Sequence, residues 1–127
     1  MSRAANGGLR IVVIEDNYDA NAALTRLLKS SGFDVVGRAY DGLSGLSVIK
    51  AEHPDVAIVD LAMPVLDGLA LARRIHDEVD SPPHLVALTA FGPEIASEAE
   101  NAGFEGYFCK PADWPALRGH LEGYLSQ

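Results

Sequence analysis

The chain has 127 residues, enough to build one hydrophobic core and too few for two. With 48% apolar and 22% charged residues it has the composition of an ordinary folded domain, not of a disordered or fibrous chain. A formal net charge of -8 argues against a general nucleic-acid or anionic-membrane binder, because no basic stripe is there to neutralise phosphates. The one cysteine, Cys109, cannot form an internal disulfide. Residues 1–8 hold no apolar run of signal-peptide length, and no segment is long enough to cross a bilayer. The expectation is a cytoplasmic protein with a flexible segment over 1–8 and a single domain over 9–127.

Residues 10 to 14 form a short β-branched run bounded by Glu15-Asp16-Asn17, which predicts a strand. Residues 19 to 31 then take helical spacing, with Ala20, Leu24, Leu27 and Leu28 on one face and Gly32 as C-cap. Phe33 to Ala39 is a second strand. Leu43, Leu46 and Ile49 open a second helical face that stops before Pro54. Val56 to Leu61 is a third strand with almost no polar interruption, as burial under helices on both faces requires. Leu69, Ala72, Ile75 and Val79 follow the Asp67-Gly68 turn at helical spacing, and Pro82-Pro83 closes that unit. A fourth strand runs from Leu85 to Leu88 and ends at Thr89. Ile95, Ala99 and Ala102 mark a weaker helix closed by Gly103. Tyr107 to Cys109 is a short fifth strand ending at Lys110-Pro111. Trp114, Leu117, Leu121 and Leu125 line a last helix.

Five strand–helix repeats of this length predict an α/β domain, a doubly wound (βα)5 parallel sheet with right-handed crossovers. The strand order expected for it is 2-1-3-4-5. Glu15, Asp16, Asp60, Thr89 and Lys110 all follow the C-terminal ends of strands, the edge where open α/β sheets bind ligands. With the first and third strands adjacent, Glu15, Asp16 and Asp60 become neighbours. Three carboxylates at one edge repel, and a bound cation relieves this. Their hard oxygens suit Mg²⁺ or Mn²⁺, and no thiol or imidazole joins them to favour zinc. A hydroxyl at Thr89 and an ammonium at Lys110 add what is needed to hold phosphoryl oxygens. A carboxylate in that ring can itself be a nucleophile, giving an aspartyl phosphate. The residues alone do not single out which one.

The same residues carry a family resemblance. Val-Val-Ile-Glu-Asp-Asn (12 to 17), Asp-Leu-Ala-Met-Pro-Val-Leu-Asp-Gly (60 to 68), Leu-Thr-Ala (88 to 90) and Lys-Pro (110 to 111) stand in order and at matching intervals. Together they resemble the receiver domain of two-component response regulators, from Leu9 to about Leu125. The flavodoxin-like order 2-1-3-4-5 is known for a chemotaxis member of that family, so it is no independent derivation. The resemblance implies that Asp60 is the phosphoacceptor, taking a phosphoryl group from a phosphohistidine on a histidine kinase or phosphotransfer protein. It implies Mg²⁺ held by Asp16, by Glu15 through water, by Asp60 and by the backbone carbonyl of Ala62. Thr89 and Lys110 would bind phosphoryl oxygens, with Thr89 and Tyr107 changing position on phosphorylation. The face of helix 4, strand 5 and helix 5 would then change its preference for a downstream protein partner or a fused output domain.

Glu15 stands where the family more often has Asp, which keeps the charge. Ala62 and Phe91, two residues beyond Asp60 and Thr89, cannot orient an attacking water, which points to slow autodephosphorylation. Tyr107 has an equal claim as a core residue, and Phe104, Phe108 and Trp114 read as packing residues. Gly68 reads as a restricted backbone position. Cys109 is expected to be buried and structural. His53, His76, His84 and His120 show no ligand grouping. Residues 87–92 and 102–111 resemble both receivers fused to hybrid sensor kinases and stand-alone regulators. Two rivals remain. One is a protein-binding pseudo-receiver that works without phosphorylation. The other, weaker, is a phosphohydrolase with an aspartyl intermediate, like the haloacid dehalogenases, which place the nucleophile on the first strand. A nucleotide site has less support, since acids and not a glycine-rich loop follow the first strand.

Overall fold

The computed structural model describes residues 8–63, 65–90, 93–109 and 113–126. Strands β1 (Arg10–Ile14), β2 (Asp34–Ala39), β3 (Val56–Asp60), β4 (His84–Thr89) and β5 (Phe104–Cys109) alternate with helices α1 (Tyr18–Ser30), α2 (Gly42–Glu52), α3 (Gly68–Glu78), α4 (Ala96–Asn101) and α5 (Trp114–Gly123). All the strand pairs are parallel, and the order is β2-β1-β3-β4-β5, as expected. Short 3-10 turns precede α4 and follow α5.

Period-two alternation splits each strand between two apolar layers. Ile11, Val13, Val56, Ile58, Val86 and Leu88 pack beneath α1 and α5 with Leu24, Leu28, Leu117 and Leu121. Val12, Ile14, Ala57, Val59, Leu85 and Ala87 pack beneath α2, α3 and α4 with Leu46, Ile49, Leu71, Ile75 and Ala99. The central strand β3 is buried along its whole length, which explains its unbroken apolar run. Four helices start on an Asn or Asp whose side chain accepts a backbone N–H of the first turn: Asn17, Asp41, Asp67 and Asp113. The helix α1 ends at Ser30 with Ser31, not the expected Gly32, as its C-cap, and Gly32 follows in the left-handed region at φ 90°.

Three other expectations shift. The buried face of α1 is Asn21, Leu24, Thr25 and Leu28, while Ala20 and Leu27 are exposed. Leu43 in α2 is exposed too; the inner side of that helix carries Gly45, which lies against Ile14 of β1, and Gly42, which lies against Leu66 in the loop before α3. The fifth strand begins at Phe104, three residues earlier than Tyr107. Its first residues, Phe-Glu-Gly, look unlike a strand because an edge strand pairs on one side only and tolerates charge and glycine.

Candidate functional site

Ile14 of β1 lies opposite Val59 of β3, so Glu15 and Asp60 come level at the C-terminal edge of the sheet. Each continues the strand row that packs beneath α1 and α5, and both are buried. Asp16, one step further, is exposed. One carboxylate oxygen from each of Glu15, Asp16 and Asp60 lies within 4.8 Å of the others. Such charges repel, and the repulsion is strongest for the two withdrawn from water. Backbone donors offset part of it: Asn17 N–H donates to Glu15 Oε2 at 2.9 Å, and Ala62 N–H donates to Asp60 Oδ1 at 3.0 Å. An all-oxygen set with no thiol or imidazole fits a hard octahedral ion of the Mg²⁺ kind.

The backbone behind Asp60 is held by α3. A Cβ on Gly68 would come within 2.7 Å of Leu61 Cα and 2.8 Å of the Asp60 carbonyl oxygen. Gly68 is therefore needed for close approach and not for an unusual φ; the residue that does take a left-handed backbone in this loop is Val65, at φ 71°. Leu61 N–H donates to the Leu88 carbonyl at 3.0 Å, tying the same corner to β4.

Thr89 is buried at the end of β4, one residue beyond Leu88, which pairs with Asp60. Tyr107 lies opposite Ala87 on β5 and packs against the layer under α2, α3 and α4. Alternation puts Thr89 on that same face. Tyr107 is thus a packing residue that also stands beside the Thr89 row. Its phenol ionises less readily than usual, mainly through burial, with Cys109 and then Glu94 adding to it. Lys110, Phe91, Pro64 and Pro111 lie outside the described residues. Ala62 is exposed just past Asp60, and its described contact is the N–H bond above.

Cys109 is exposed, contrary to the buried role expected of it. It ends the edge strand β5, whose second side has no neighbouring strand among the described residues. Among the described residues the carboxylate trio is the only group of three or more His, Cys, Asp or Glu placed to hold a metal. His84 and His120 do meet, through Tyr124: His84 stacks on that ring at 4.1 Å, and His120 Nε2 pairs with its hydroxyl at 2.8 Å. A cleft of about 690 Å³ lies there, at the opposite edge of the sheet from the carboxylates. Chemistry, not cavity size, marks the site. Sequence reasoning passed over Asn17 and Asn21. The signal for Asn21 was its place on the Leu24–Leu28 stripe of α1, a polar residue where the core should be.

The family model described as the response regulator receiver domain matches residues 11–122. The chain belongs to that family. This receiver is similar to the transcriptional regulatory protein CseB of Streptomyces coelicolor, 34% identical over 91% of the chain and 48% of the regulator's length. It therefore spans about half of that relative. A two-component response regulator of the LuxR family from Aurantimonas superposes with a TM-score of 0.85 at 27% identity, covering 98% of this receiver and 86% of that chain. The receiver domain of Ssk1 from Saccharomyces cerevisiae, solved with the histidine phosphotransfer signalling protein Ypd1, gives a TM-score of 0.79 at 25% identity, covering 89% and 86%. Receiver domains of two-component signalling use Mg²⁺ and pair with histidine kinases or phosphotransfer proteins. No described helix of this receiver is long and apolar enough to cross a membrane.

Proposed function

We propose that this receiver accepts a phosphoryl group on Asp60 from a phosphohistidine, in a Mg²⁺-dependent reaction. The observation that carries the reading is the carboxylate trio, gathered from two strand ends into 4.8 Å with two members buried. Asp60 is the member best placed as nucleophile. It ends the central strand, with Glu15 and Asp16 on the β1 side and Thr89 on the β4 side. An Asp60 oxygen forms the new O–P bond, the N–P bond of the phosphohistidine breaks, and the imidazole keeps the electron pair and takes a proton. Mg²⁺ supplies charge neutralisation of the phosphoryl oxygens. Glu15 and Asp16, with Asp60 and the Ala62 carbonyl, would hold it. The Thr89 hydroxyl and the Lys110 ammonium would take other phosphoryl oxygens.

The reading extends to a switch. An acyl phosphate that draws Thr89 inward disturbs the face it shares with Tyr107, and Tyr107 lines an open cleft of about 440 Å³ between α4 and β5. The α4–β5–α5 face would change there and alter the preference for a downstream partner or a fused output domain. Ala62 and Phe91 supply no group to orient a hydrolytic water, so the phosphorylated form decays slowly. The domain is accordingly a signalling switch and not a turnover enzyme. Residues 9–127 form the unit, with 1–8 ahead of it.

Intact-mass measurement after incubation with Mg²⁺ and a small phosphodonor tests this. One added phosphoryl group, lost with EDTA and in Asp60→Asn, is expected. No addition to the wild type would favour the pseudo-receiver, and sustained phosphate release from many monoesters would favour a hydrolase. Decay of the phosphorylated form within seconds would overturn the slow-decay reading.

A further inference from the structure

Asn21 is completely buried on the sheet-facing side of α1. A buried amide is costly unless every donor and acceptor is used. Here all are. Its Nδ2 donates to the Glu15 carbonyl at 3.2 Å and to the Ala39 carbonyl at 3.1 Å. Its Oδ1 accepts from Arg38 Nε at 2.8 Å and from Thr25 Oγ1 at 3.4 Å. An arginine Nε can only donate, so Oδ1 must face Arg38 and the NH₂ must face the two carbonyls.

Those carbonyls belong to the acid loop and to the end of β2. Glu15 N–H also donates to the Ala39 carbonyl at 3.0 Å, so the Glu15 backbone is fixed on both its polar groups. The anchor then returns to the loop by a second route. The Arg38 guanidinium lies 6.0 Å from the Tyr40 ring centre, and Tyr40 stacks on Tyr18 at 4.8 Å with planes 10° apart. Tyr18 follows Asp16 by two residues. The loop that carries Glu15 and Asp16 is thus tied at Glu15 to Asn21 and Ala39 and is followed, two residues after Asp16, by a ring stacked on Tyr40. A leucine at position 21 would match the Leu24–Leu28 stripe and hold α1 to the sheet by packing alone. What the amide adds is a fixed backbone for two carboxylates that repel each other and Asp60.

We infer that Asn21, anchored by Arg38, is a positioning residue for divalent-cation binding at Glu15, Asp16 and Asp60. This rests on the Mg²⁺-dependent reading above and adds a role outside the ligand set. Groups that orient metal ligands commonly change affinity by about 10- to 100-fold when removed.

The test is Mg²⁺ titration by calorimetry on wild type, Asn21→Leu and Arg38→Met, with urea unfolding in EDTA measured in parallel. Arg38 is exposed, so Arg38→Met keeps the fold even where Asn21→Leu does not. Expected are an Mg²⁺ affinity reduced about 10-fold or more in Asn21→Leu and by a smaller factor in Arg38→Met. Thr25 still donates to Asn21 Oδ1 and water reaches the exposed Arg38 position, so the Arg38→Met urea midpoint in EDTA falls only slightly and by much less than that of Asn21→Leu. Its Mg²⁺ affinity still drops, a combination that a purely structural role would not give. Wild-type affinity in a folded Asn21→Leu, or in Arg38→Met, overturns the inference while leaving the Mg²⁺ reading intact. A wild type that binds no Mg²⁺ at millimolar concentration overturns both.

Discussion

The two halves of the sheet are built to different standards. In the β1–β3 half, β3 is buried from end to end and β1 at all but its first residue. The flanking α1 is 13 residues long and, like α2 and α3, has a side-chain N-cap. Both halves end in an edge strand whose middle is only half-buried, β2 and β5, but β5 lies beside a six-residue α4 that no side chain caps. An open cleft follows the seam between them. Chemistry at clustered charges needs a preorganised backbone, and that is where the firm packing lies. A surface that changes between two states must come from the low-stability end of the molecule, and the loosely built half is the one that carries Tyr107.

Truncating one side chain in each half would break this comparison or sharpen it. Ile14 is almost completely buried under α2 and α3, and Ile14→Ala should cost about 2–5 kcal/mol in urea unfolding. Ile95, just before α4, is only partly buried against the same layer, and Ile95→Ala should cost about 1 kcal/mol. Equal losses would mean that the second half is packed as firmly as the first. A smaller effect is expected at Val65, where a β-branched residue sits at φ 71° and is 77% exposed. Asparagine tolerates that conformation, so Val65→Asn should stabilise by about 0.5 kcal/mol. A loss instead would show that Val65 makes a contact worth more than its strain.

The most fully buried strands were also the legible ones. β1, β3 and β4 are unbroken apolar runs because helices cover both their faces, and their strand-end acids and hydroxyl follow from counting along them. The register that brings Glu15 level with Asp60 depends on β1 pairing directly with β3. The alternation of strands and helices suggested that order and the family resemblance fixed it, but no residue in either strand states it. Where burial weakens, the reading loosens. The start of β5 was missed and Cys109 was expected inside, since an edge strand obeys no strict pattern. Asn21 was missed for the opposite reason. A polar residue in a helix reads as solvated, and only the partners that reach it from β2 and the acid loop make it a core residue. Tyr107 kept two readings in the sequence, and its half-buried place beside the Thr89 row gives grounds for both.

The smallest effect concerns whether the firm half owes anything to surface charge. Glu78 of α3 accepts from Arg74 Nε at 2.6 Å and from Lys50 Nζ of α2 at 2.6 Å, joining two helices on the outside of the β1–β3 half. The Arg74 bond first, and the Lys50 bond second, hold its carboxyl at about 2, well below the ordinary 4.5. A depressed carboxylate stabilises the folded state above its unfolded value and loses that contribution as pH falls through the folded one. The difference in urea midpoint between wild type and Glu78→Gln should therefore be constant above about pH 4.5 and should close between there and about pH 2. All three partners are largely open to water, so the difference should be small throughout and shrink further in high salt. A large difference would make this bridge a support of the β1–β3 half and move part of its firmness from the core to the surface. A difference that stays flat through acid would show that the bridge does not form in solution, leaving the buried strands as the reason the acid cluster holds its shape.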